Sequence, residues 1–160
     1  MRNFLRICTE IEETAARIYQ SLAQSSVYDA KLRAIWGKMA EEEDEHALQI
    51  RFAARLPSSK VFRESRPIDG VQKLLVEAHA VLTRIGREPL TVGETLRLAL
   101  TLEEKFCEVH VSTAKNFIDE KMKKLFETMI VADKEHLAPL REYCRNYLKE
   151  EQGILNAKGV

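Results

Sequence analysis

The chain has 160 residues, enough for one domain with a sizeable core and no covalent staples. It is 45% hydrophobic and 31% charged, with 25 basic residues against 25 acidic ones and a formal net charge of zero. That balance leaves no basic excess for DNA, RNA or an anionic membrane, so neither nucleic acid nor membrane is expected as a partner.

Apolar residues recur at helical spacing almost throughout, and no alternating run is long enough for a strand. The first predicted helix runs from about Asn3 to Ser25, with Phe4, Cys8, Ile11, Ala15, Ile18 and Leu22 on one face. "SSVYD" then turns the chain, and Asp29 is the predicted N-cap of a second helix carrying Leu32, Ile35, Trp36, Met39, Ile50 and Ala54 inward. "LPSSKVFRESRPIDG" breaks the pattern at Pro57 and Pro67, and "VQKLLVEAHAVLTRIG" reads as a shorter connecting helix ending near Gly86. "TVGE" has capping-box spacing from Thr91 to Glu94 and opens a long helix to about Phe117, with Leu98, Leu102, Phe106 and Val109 inward. The last long helix spans about Asp119 to Leu148. Four long helices and one long middle connection predict an all-α four-helix bundle with a single crossover that contains a short helix. The bundle is expected over residues 1–150, with 151–160 as a loosely held tail.

Cys8, Cys107 and Cys144 stand apart, with no C-x-x-C pair to hold zinc or iron. Three unframed thiols fit a reducing compartment. The apolar run in "MRNFLRICTE" is too short and interrupted for a signal peptide, and no segment reaches transmembrane length. A cytoplasmic location is expected.

The chain also contains itself twice. "DAKLRAIWGKMAEEEDEH" (29–46) lies on "DEKMKKLFETMIVADKEH" (119–136) without a gap, and "EIEETAARIY" (10–19) lies more loosely on "TLEEKFCEVH" (101–110). Two such helical hairpins meet about a pseudo-two-fold axis, so whatever one half points inward the other mirrors. At roughly 100° per residue, Glu43 and His46 fall within about 40° of the centre of the apolar face, and Asp133 and His136 fall in the middle of theirs. Glu41, Asp44 and Glu45 point outward. Glu12 and Glu103 reach inward at the edge of their stripes, while Glu13 and Glu104 face solvent.

Four carboxylates and two imidazoles on inward faces, with no lysine or arginine obvious beside them, would be costly to bury alone. Two divalent cations balance the four negative charges, and the i, i+3 spacing puts each acid–imidazole pair on one helical face. The oxygen-rich set without thiolate favours iron or manganese over zinc. One E-x-x-H is weak; two on apolar faces, related by a repeat and joined by two inward glutamates, predict a dinuclear site.

Over about residues 4–148 the sequence resembles the ferritin-like family and, within it, the rubrerythrins. "EIEETAARIYQSLA" and "MAEEEDEHA" carry the resemblance in the first hairpin, "LTLEEKF" and "DKEH" in the second. It implies a ferritin-like bundle holding two iron ions, or manganese, on Glu12, Glu43, His46, Glu103, Asp133 and His136, with Glu43 and Asp133 as bridges. It implies a catalytic second-layer hydrogen bond from Tyr19, which lies seven residues after Glu12 on the same face. It also implies reduction of hydrogen peroxide or dioxygen, an external electron-donor protein and a homodimer, sometimes with exchanged helices. Three departures stand out: Asp133 replaces a glutamate, Phe106 replaces an additional glutamate typical of rubrerythrins, and no rubredoxin-like domain is expected. Non-catalytic iron binding or storage, or a degenerate bundle weakened at Asp133, are the alternatives. His110, the repeat mate of Tyr19, reads as a polar residue at the edge of the core, and His79 as exposed.

Overall fold

The computed structural model describes residues 2–55, 68–88 and 90–157, without the side chains of Arg2, Ile68, His136 and 150–157. The expected pattern breaks at Pro57 and Pro67 lie outside the described residues. Five helices follow one another: α1 Arg2–Gln24, α2 Ala30–Ala53, α3 Ile68–Arg87, α4 Val92–Asn116 and α5 Glu120–Ala157. Among the described residues there is no strand, and no helix is long and apolar enough to cross a membrane.

Local chemistry sets these boundaries. The Asp29 carboxylate accepts from the Leu32 backbone N–H at 2.7 Å, satisfying a donor that the first turn of α2 leaves open. Its repeat mate Asp119 accepts from Met122 N–H at 3.1 Å and starts α5 in the same way. Thr91 and Glu94 form the expected capping box at the start of α4. α5 passes through Pro139 and continues to Ala157, beyond the end expected near Leu148. Lys149, Glu150, Glu151 and Gln152 are good helix formers, and nothing before Gly153 signals a stop.

Short turns make α1–α2 and α4–α5 into two hairpins whose helices pack along one another. α2 also touches α5, and α3 lies along α1, burying Val71, Leu74 and Ala78. All six residues expected inward on α1 are buried, as are Leu32, Trp36, Met39 and Ile50 on α2. Leu102 and Phe106 of α4 and Met122, Phe126, Met129 and Leu140 of α5 close the core from the other side. Each large apolar side chain removed from water here contributes about 1.5–3 kcal/mol before entropy is counted. The architecture is the all-α four-helix bundle that the periodicity predicted, with α3 in the crossover.

Candidate metal centre

Each of the four bundle helices delivers a carboxylate into the core: Glu12 from α1, Glu43 from α2, Glu103 from α4 and Asp133 from α5 are each at most 1% exposed. Glu41, Asp44 and Glu45 are exposed on the other side of α2, as the helical angle required. Glu13 and Glu104 turn outward to pair with Arg51 and Arg141. No lysine or arginine is among the buried side chains of the described residues.

Glu12, Glu43 and His46 form one tight group, each offering a ligand atom within 4.8 Å of the others. His46 Nδ1 lies 3.2 Å from Glu43 Oε2 and 3.6 Å from Glu12 Oε2. Tyr19, fully buried, donates its hydroxyl proton to Glu103 Oε1 at 2.5 Å across the bundle. The Trp36 indole stacks on the Tyr19 ring, centroids 5.8 Å apart and planes 4° from parallel. The side chain of His136, expected beside Asp133, lies outside the described residues.

His110 corrects the sequence reading. It is not at the edge of the core but 1% exposed in its centre. Nε2 lies 3.1 Å from Glu12 Oε1 and Nδ1 lies 2.7 Å from Asp133 Oδ2. The signal was available: Tyr19 follows Glu12 by seven residues, and His110 follows Glu103 by the same interval. The cross-bundle bond from Tyr19 to Glu103 is therefore mirrored by the one between His110 and Glu12. Even the ring contacts repeat, since Phe126, the mate of Trp36, packs against His110 at 5.8 Å. His79 is exposed, as expected, within ion-pair distance of Glu10.

Crowding of acids shapes the protonation of this group. Burial opposes the charged form of Glu12, but the imidazoles of His110 and His46 outweigh it and hold the carboxyl well below its ordinary range. Burial, reinforced by the Glu103 and Glu12 carboxylates, pushes Glu43 well above its own. His46 is pushed up to about 10: burial disfavours its cation, and Glu12 and Glu43 more than compensate. His110 is likewise raised, against the pull of burial, by Glu12 and Asp133. Burial beside Glu103 keeps the Tyr19 hydroxyl protonated. In the metal-free chain His46, His110 and Glu43 thus hold protons more readily than they would in water.

The residues fit a bound cation. Glu12 Oε2 and Asp133 Oδ1 are buried without a hydrogen-bond partner among the described residues, although a carboxylate oxygen in a core ordinarily has one. The donor set of carboxylates and imidazoles, without thiolate, suits divalent iron or manganese. The three cysteines form no disulfide with one another, and burial raises the thiol of Cys107, the one that lies between Glu103 and His110 on α4.

No curated protein sequence matches the chain. A crystal structure of a Thermotoga maritima protein described as ferritin-like and diiron-carboxylate shares the fold, with a TM-score of 0.66, 18% identity, and coverage of 90% of this chain and 93% of that one. The rubrerythrin family model matches residues 3–144. Nearly the whole bundle, including every buried acid described above, falls within that match, and the chain belongs to the rubrerythrin family.

Proposed function

We propose that this protein is a non-haem di-iron oxidoreductase that reduces hydrogen peroxide, or dioxygen, with electrons from a separate donor protein. The observation that carries the reading is a rubrerythrin-family bundle whose buried centre holds four carboxylates and two imidazoles, with no buried lysine or arginine among the described residues. Glu12, Glu43 and His46 would hold one ion, and Glu103, Asp133 and His136 the second. A pair of ferrous ions supplies two electrons at once, enough to take hydrogen peroxide to two waters with two protons, without releasing a radical.

The rest is the work of this chain's own residues. Glu43 and Glu12 carry opposite tendencies to hold a proton, which lets the cluster exchange protons as cation charge enters it. Tyr19 fixes the orientation of Glu103 and keeps a proton on its own oxygen, within the core, for a reacting oxygen atom. Trp36, Met39 and Phe126, each at most 2% exposed, shut bulk water out of the same space. Phe106, 1% exposed, supplies no carboxylate one turn beyond Glu103, so this site works without the ligand exchange an acid there would allow.

Rapid mixing of anaerobically reduced, iron-loaded protein with each oxidant tests the reading. Peroxide is expected to oxidise the iron faster than it oxidises free ferrous ion in the same buffer. If neither oxidant does so, iron binding without turnover replaces catalysis. Light scattering completes the picture: a homodimer is expected, whereas a large closed cage would move the function to storage.

A further inference from the structure

We propose that His110 is itself a metal ligand, through Nε2, and that Asp133 acts as the residue that orients it. This rests on the dinuclear reading above and changes which side chains carry it.

Two departures from the internal repeat occur together. Where the first half has Glu43, the second has the shorter Asp133; where the first has Tyr19, the second has His110. Tyrosine offers one polar atom, and Tyr19 spends it on Glu103. Histidine offers two nitrogens on opposite sides of a rigid ring. One of them, Nε2, repeats the cross-bundle contact at 3.1 Å from Glu12 Oε1. The other has no counterpart in the first half: Nδ1 meets Asp133 Oδ2 at 2.7 Å.

That second contact has the form of a carboxylate–imidazole pair in a metal site, where the carboxylate takes the ring N–H and fixes the nitrogen that faces the ion. Glu43 joins Glu12 and His46 in the tight group; Asp133, its mate, does not, and neither does His110, which touches the group through Glu12 Oε1. One methylene shorter, the Asp133 carboxylate stops at His110, and the imidazole extends the reach that the arm lacks. Glu12 then stands between two imidazoles. Its Oε1 faces His110 and its Oε2, which has no hydrogen-bond partner among the described residues, lies 3.6 Å from His46 Nδ1. The two rings are 6.2 Å apart with planes at 88°, near enough for both to reach one ion beside Glu12 at ordinary metal–nitrogen distances of about 2.1 Å. With the His110 ring turned to it, an ion beside Glu12 would take two carboxylates and two imidazoles, Glu12, Glu43, His46 and His110, and would bind more tightly than the second.

Manganous ion, followed by the loss of its free EPR signal during titration of the full apo chain, reads affinity and stoichiometry directly. His110→Phe is expected to weaken the tighter site by about 100-fold or more, and Asp133→Asn, which removes only the orienting charge, by about 10–100-fold. Asp133→Glu is expected to give no gain. The reverse order, with Asp133→Asn losing an ion and His110→Phe keeping the tight site, overturns the assignment, as does tenfold tighter binding in Asp133→Glu. Pulsed EPR at one manganous ion per chain keeps the question open to test should a variant fail to fold. Two coupled imidazoles are expected in the unmodified protein and also in His136→Phe; a single one in either overturns the proposal. A chain that takes up neither manganous nor ferrous ion overturns the dinuclear reading itself, a different result from a misassigned ligand.

Discussion

Tyr19 shows what a single side chain contributes at this centre. Its hydroxyl is the donor to Glu103 Oε1, and its ring is held flat against Trp36, so Tyr19→Phe keeps the packing and removes one bond. Leaving a buried carboxylate oxygen without its donor costs about 1–3 kcal/mol, and urea unfolding of the apo protein should show a loss of that order. If metal affinity is then retained while iron oxidation by peroxide slows, the hydroxyl serves the reaction as well as the fold. The protonation pattern makes a second prediction at the same scale. His46 binds its proton more tightly folded than unfolded, so its contribution to apo stability is complete below about 6.5 and is lost as pH rises toward 10. Glu43, also raised, begins the same loss from its ordinary value of 4.5 upward. Glu12, lowered, works in the opposite sense: its contribution is present above 4.5 and disappears as pH falls below it. The melting temperature of the apo chain should therefore be highest between about pH 4.5 and 6.5 and decline toward alkaline pH. A melting temperature that climbs from pH 6.5 to 9 in the absence of metal would contradict these assignments.

At the level of helices, the repeat is written into caps and surface pairs as well as into the core. Asp29 and Asp119 start α2 and α5 alike, but only Asp29 also accepts from Tyr143, at 2.8 Å, which ties the first hairpin to α5. An N-cap aspartate replaced by alanine costs about 1 kcal/mol. Asp29→Ala is expected to exceed that and Asp119→Ala to match it, as measured by denaturant midpoint at constant m-value. Equal losses would mean that the Tyr143 bond contributes nothing across the hairpins. Glu13–Arg51 and Glu104–Arg141 are also repeat mates, each joining the two helices of one hairpin. Exposed pairs of this kind are worth about 0–1 kcal/mol, so they fix the register of the hairpins more than they stabilise them. The caps and the inward stripes were legible because they depend on residues three and four apart. The extension of α5 to Ala157 was harder to read, since good helix formers near a chain end carry no stop signal of their own.

For the molecule as a whole, the buried acids oppose folding in the absence of metal, and a bound cation would relieve that cost. Anything that binds the folded chain alone raises its stability by mass action, by about 2.7 kcal/mol at a free ion concentration one hundred times the dissociation constant. Ferrous or manganous ion is thus expected to raise the melting temperature of the anaerobic protein by several degrees, most at the alkaline pH where the apo cluster has lost its protons. Identical melting temperatures with and without the ion at pH 8 would show that the centre is held together by its own hydrogen bonds.

Sequence by itself determined the helices, their pairing into two similar hairpins and the inward direction of Glu12, Glu43, Glu103 and Asp133. Each of those follows from local periodicity and from a repeat that can be read along one line. It did not determine who meets whom across the bundle. Tyr19 reaches a carboxylate 84 positions away and His110 one 98 positions away. Such partners are chosen by how two hairpins dock, a matter of core shape and helix spacing that no single helical stripe contains. Hence His110, which on its own helix is one more polar residue beside an apolar face, becomes the link between Glu12 and Asp133 only when the second hairpin closes on the first.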